Sequence, residues 1–173
     1  MAKSTVPKWI PQIKREKRRK QWAAWYKRPW TVPTGRMQAR RFKKALWKHG
    51  LLSPNFSRES AKSGDGVGIP LYLRKRAQRH AFALERVRHD LGDKPLSPLS
   101  WYRSGTPGVN NGHNAAVGGA VWSRHKMADA TDWSNASDAL SRSLEKHCTG
   151  LGYNPGRKVR HGDNGPERTW NYY

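Results

Sequence analysis

Two histidines and two aspartates in the second half of the chain stand at spacings that metal chemistry can use. His125 and Asp132 lie seven apart in SRHKMADATDW (123–133), with small or apolar residues between them, in a chain otherwise crowded with Lys and Arg. A zinc hydrolase site takes three protein ligands, commonly two His and one carboxylate, and keeps a fourth position open. A strand ending at His125, a tight turn through KMAD and a return strand reaching Asp132 bring the first two together, and Ala128 and Ala130 let those strands approach closely. VRHGD (159–163) offers His161 as the third ligand. Asp163 shares the His161 face, because strand side chains alternate with period two. There it can take a proton or orient a ligand. The plain alternative for the other histidines, His80 and His89, is a solvated or packed side chain, and for Cys148 a small core residue.

Those side chains need elements to hold them. The clearest is a helix over roughly 70–91, where Leu73, Ala77, Ala81, Leu84, Val87 and Leu91 form an apolar stripe and Gly92 a stop. Another helix near 135–149 starts at Ser134 as N-cap and buries Ala136, Leu140, Leu144 and Cys148. PLSWYRS, AVWSRH, DATDW and RKVRHGD read as short strands, with the Gly- and Asn-rich stretches GTPGVNNGHN and GLGYNPG as loops. Trp101, Trp122, Trp133 and Trp170 read most simply as core. The expected class is α+β: a small antiparallel sheet carrying the polar site, packed against helices, with a basic helical N-terminal arm.

The arm is visible as charge. The 173 residues carry a formal charge of +22, and residues 1–50 hold 16 Lys and Arg against the single acid Glu16. Two short amphipathic helices are expected there, one gathering Trp22, Trp25 and Tyr26, the other over GRMQARRFKKALWKHG with Gly50 after it. The division is a basic, Trp-rich arm over 1–50 and a domain over 51–173. Such asymmetry suits a polyanionic partner: nucleic acid, an acidic membrane face or an anionic wall polymer. One cysteine excludes an internal disulfide. No apolar run is long enough to cross a bilayer, and MAKSTVPKWIPQIK has no apolar segment of the kind a secretory signal needs.

SWYRS (100–104), HNAAVGGA (113–120), SRHKMADATDW and HGDNGPERTW (161–170) occur in one order. In this the chain resembles the LAS-type zinc peptidases, the D-alanyl-D-alanine carboxypeptidases and murein endopeptidases of bacteria and their phages. The resemblance covers roughly residues 55–173. It implies one zinc ion on His125, Asp132 and His161, and Arg103 as the cation facing the scissile carbonyl, with a plain salt-bridge role as its alternative. Ser123 and Asn114 would support the site or the loop before AVGG. Arg168 would pair with a carboxylate or line the cleft. Two positions depart from the family pattern. Ala128 stands where Gly is usual, which is tolerable if the backbone there is not at positive φ. Lys158 stands where many members keep the catalytic carboxylate, so Asp163 becomes the expected base, with Glu167 as the alternative. The implied substrate is the stem peptide of bacterial peptidoglycan, with anionic wall polymers as further partners of the arm. The combination suits a phage lytic enzyme made in the host cytoplasm and acting at the wall after release, or carried in a virion. The rival is a non-enzymatic virion component whose arm holds DNA or neighbouring subunits beside an inert peptidase-like domain.

Overall fold

The structure, a computed structural model, describes residues 35–172 apart from Asn135. The helix expected around Trp22–Tyr26, with most of the basic arm, lies outside those residues.

The second expected helix forms as α1, Arg36–Lys48. Gly50 follows at φ 76°, a left-handed conformation that glycine adopts without a Cβ penalty. Helix α2, Arg74–Asp90, is led in by a 3₁₀ turn at Leu71–Leu73. Its stripe of Leu73, Ala77, Ala81, Leu84 and Val87 is fully inside, and burial of one such large apolar side chain contributes about 1.5–3 kcal/mol. Gln78 Nε2 donates to the Lys43 carbonyl at 2.7 Å and ties α1 to α2. A short α3 spans Gly112–Ala116. Helix α4, Asp138–His147, lies against α2. Its cap is Ser137, which accepts from the Leu140 amide, rather than Ser134. Asp138 then falls in the first turn, where the helix dipole favours a negative charge. Leu144 and Cys148 are buried as expected.

Strands β1 (Ala130–Asp132), β2 (Gly150–Tyr153), β3 (Val159–Asp163) and β4 (Arg168–Asn171) form one sheet in the order β1-β3-β2-β4. The sheet is mixed, not antiparallel throughout. β1 and β2 each run antiparallel to β3, but β4 pairs parallel with β2. The chain reverses after β2 and again after β3, so β4 runs in the direction of β2 and closes its free edge. GLGYNPG, expected as a loop, supplies β2. AVWSRH is not a strand: Arg124–Met127 is a 3₁₀ turn. PLSWYRS contributes a single bridge, Ser100 to Asp132. Trp101 and Trp133 are core, whereas Trp122 is 72% exposed. Among the described residues no helix is long and apolar enough to cross a membrane.

His80 on α2 is fully buried. Its Nδ1 meets Asn164 Oδ1 at 2.6 Å and its Nε2 meets Thr131 Oγ1 at 3.1 Å, which fastens α2 to β1 and to the end of β3. Burial pushes the imidazole down to about 4, and the Asn164 contact only partly offsets this. The ring is therefore neutral in the fold, while the unfolded chain takes up the proton near pH 6.5. Stability from this residue is complete above about pH 6.5, declines as pH falls to about 4 and then levels. At about 1.36 kcal/mol per pH unit, urea unfolding at pH 4.5 and 7.5, with chelator present, is expected to cost wild type about 2–3 kcal/mol more than His80→Gln. Parallel pH profiles for the two proteins would refute this assignment.

Candidate metal centre and cleft

The sheet register sets the site. Asp132 on β1 faces His161 on β3, and His161 faces Gly152 on β2, which pairs in turn with Trp170 on β4. Two residues along each strand, on the same face, Ala130, Asp163, Gly150 and Arg168 form a second row. His125 reaches the first row from the 3₁₀ turn, where the Ser123 hydroxyl accepts from the His125 amide. The segment 99–103 fixes both ends of this motif: the Asp132 amide donates to Ser100 O at 2.9 Å, and the Arg103 amide to His125 O at 3.3 Å.

Three polar atoms then converge. His125 Nε2 lies 3.1 Å from Asp132 Oδ1 and 3.2 Å from His161 Nδ1, and His161 Nδ1 lies 2.9 Å from Asp132 Oδ1. The other nitrogen of each ring is engaged elsewhere, His125 Nδ1 with the Trp101 carbonyl and His161 Nε2 with Asp163 Oδ2 at 3.0 Å. Two imidazole nitrogens and a carboxylate oxygen at this separation call for a positive charge among them, a proton or a metal ion. A tetrahedral zinc with bonds of about 2.0–2.1 Å holds its ligand atoms roughly 3.3 Å apart, so the donor set fits that ion. The electrostatics agree. Burial works against the Asp132 charge, yet bonds from His125 and His161 outweigh it and hold the carboxyl well below its usual range. Burial also disfavours charge on His161, but Asp132 and Asp163 overcome it and raise its affinity for a proton. His125 goes the other way, because burial dominates.

Around this centre the remaining residues of interest divide. Asp163 has no exposed surface and lies on the far nitrogen of His161. Arg168 donates to its Oδ1 at 3.2 Å and Oδ2 at 2.7 Å, and the Gly165 amide to Oδ1 at 2.7 Å. Burial opposes its ionisation, but the bonds from His161, Arg168 and Gly165 hold the carboxyl far below its ordinary range. Arg103 binds Asp132 Oδ2 through Nη2 and Ser100 Oγ through Nε. Buried Asn114 donates to the Ala120 carbonyl and holds the loop beside the cleft. Ala128 does sit in the left-handed region, at φ 57°, the conformation its usual glycine would take without strain. Lys158 pairs with Asp138 on the surface, and Glu167 is exposed; neither lines the cleft.

That cleft, about 790 Å³, is lined by the three converging residues together with Arg103, Gly118–Ala120, Trp122, Arg160, Arg168, Trp170 and Tyr172. Trp122 and Tyr172 were not legible as cleft residues, and neither was the role of β2. Glycine normally weakens a strand, but here Gly150 and Gly152 leave the site face of β2 bare so that larger side chains can lie across it. A Cβ at Gly152 would stand 2.6 Å from the Tyr172 ring and 2.8 Å from the Trp170 ring. Gly152→Ala is accordingly expected to cost about 1–3 kcal/mol by overpacking. A variant matching wild type in urea unfolding would show that the rings yield freely.

The family model described as Peptidase M15 matches residues 51–163, well over half of the chain. No curated protein matches it.

Proposed function

The chain belongs to the peptidase M15 family, and on that premise we propose that it is a zinc-dependent peptidase that hydrolyses an amide bond in the stem peptides of bacterial peptidoglycan. The observation that carries this reading is the convergence of His125, Asp132 and His161 in the lining of an open cleft. These three would hold the ion. When bound, zinc supplies a Lewis acid beside the substrate carbonyl and a nucleophile at neutral pH.

The chain's own groups prepare that chemistry. Arg103 holds the second oxygen of Asp132, so the first oxygen stays turned toward the two histidines. Asp163 accepts from His161 Nε2 and so fixes the tautomer that presents Nδ1 to the centre, while Arg168 fixes Asp163. This gives Asp163 the positioning role rather than that of base, since a buried carboxylate held far below its usual range is a weak proton acceptor at neutral pH. Trp122, Trp170 and Tyr172 offer aromatic walls to a peptide, and Arg160 and Arg168 offer cations to its carboxylates. The basic residues 1–50 add attraction to anionic wall polymers, which suits a phage lytic enzyme made in a host cytoplasm and acting at the wall, or carried there in a virion.

The test is digestion of purified muropeptides by the full chain, with mass spectrometry of the products, metal analysis, and chelation followed by zinc readdition. One zinc equivalent and a new amine end that vanishes with chelator are expected. One observation favours the second reading, a DNA- or subunit-binding virion component with an inert domain: Asp132 is the one carboxylate among the described residues lining the cleft. A metal-free chain that leaves muropeptides intact and binds DNA with steep salt dependence would establish it.

A further inference from the structure

Asp132 is fully engaged by His125, His161 and Arg103. Arg103 in turn commits Nη2 to Asp132 and Nε to Ser100. Ser123 is held as the cap of the 3₁₀ turn. Two of the five N–H donors of Arg103 are thus committed away from the cleft, which leaves room for a second donor to the developing oxyanion.

Tyr172 is placed to be that donor. It follows β4 directly, and its amide donates to the Tyr153 carbonyl at 2.7 Å, which continues the parallel pairing one residue further. Its ring lies over Gly152, in the same row as His161 and Asp132. Trp170 holds it edge-on at 6.0 Å and itself lies 5.0 Å from the His161 ring. The side chain lines the cleft together with His125, Asp132, His161 and Arg103.

We propose that Tyr172 is a catalytic residue whose hydroxyl donates a hydrogen bond to the oxygen of the scissile carbonyl as that oxygen gains charge. This rests on the peptidase reading above. The hydroxyl keeps its proton throughout, so the role is electrostatic: a phenol donates more strongly to an oxyanion than to a neutral carbonyl, and that difference is what accelerates the step. The surroundings favour the protonated form, since burial and then the Asp132 charge raise the phenol's pKa, against the opposing pull of a hydrogen bond with Trp170 and of the Arg103 and Arg160 charges.

Tyr172→Phe tests this, because it keeps the ring that packs on Gly152 and Trp170 and removes only the hydroxyl. Zinc-loaded full-length wild type and variant are compared in metal content, in kcat and KM on a muropeptide, and in calorimetric affinity for a dipeptide phosphinate, which mimics the tetrahedral anion. Expected are equal zinc content, unchanged KM, a kcat about 10²–10³ lower and phosphinate affinity weakened by a similar factor. Wild-type kcat and phosphinate affinity in the variant would overturn the proposal and leave the peptidase reading intact. A raised KM with unchanged kcat would overturn it too, by assigning the hydroxyl to ground-state binding. A zinc-loaded wild type that cleaves no muropeptide would sink the peptidase reading and this proposal with it.

Discussion

Replacing His161 with alanine is expected to leave the chain without its zinc and without measurable turnover. The change removes one of three converging donors and leaves only His125 and Asp132, too few for a site that takes three protein ligands. It also strips Asp163 of the ring it accepts from, while Arg168 keeps that carboxylate paired. Equilibrium dialysis should read about one zinc per wild-type chain and close to none in the variant. Thermal unfolding supplies an independent readout. Zinc at about 100 times its Kd adds about 2.7 kcal/mol, which for a chain of this length raises Tm by roughly 5–10 °C. His161→Ala should show no such rise. Retention of a full equivalent of zinc would mean that the metal sits elsewhere.

The second large effect concerns Asp163→Asn. As a positioning group, its loss is expected to weaken zinc binding about 10–100-fold, because the His161 ring is no longer held by a charged acceptor and Arg168 loses its carboxylate. Excess zinc should then restore both occupancy and most of the turnover. A proton acceptor behaves differently: zinc would stay bound and turnover would fall about 10²–10⁴ whatever the zinc concentration. Titrating zinc against activity in the one variant separates the two. The geometry favours the first outcome, since Asp163 has no exposed surface and three donors already surround it.

The parts of this arrangement legible in the sequence are those set by local periodicity. The α2 stripe follows from spacing alone, and the period of two in VRHGD puts His161 and Asp163 on one face. What stayed hidden depends on which strands become neighbours. A strand pattern does not say that β4 will cross to the far edge of β2, so neither the mixed sheet nor the place of Trp170 and Tyr172 beside the centre could be read in advance. GLGY looked like a loop because glycine is poor in strands; its meaning comes from the side chains of other strands that lie over it. Trp122 looked like core because large and apolar usually means inside, but it stands in a loop and lines the cleft. Asp163 drew the role of base from its spacing to His161, and its partners Arg168 and Gly165 come from the turn and strand beyond it.

Cys148, closing the end of α4, has a practical consequence for work with this chain. Its thiol is 6% exposed, and burial pushes its pKa up to about 12. Little of it is then in the thiolate form, the one that reacts with disulfides and alkylating reagents, at pH 7 to 8. The protein is thus expected not to cross-link to itself on standing in air without reductant. A cysteine introduced on the surface would be the only fast-reacting thiol in the chain, so a single fluorophore could be attached at a chosen position without first removing the native residue.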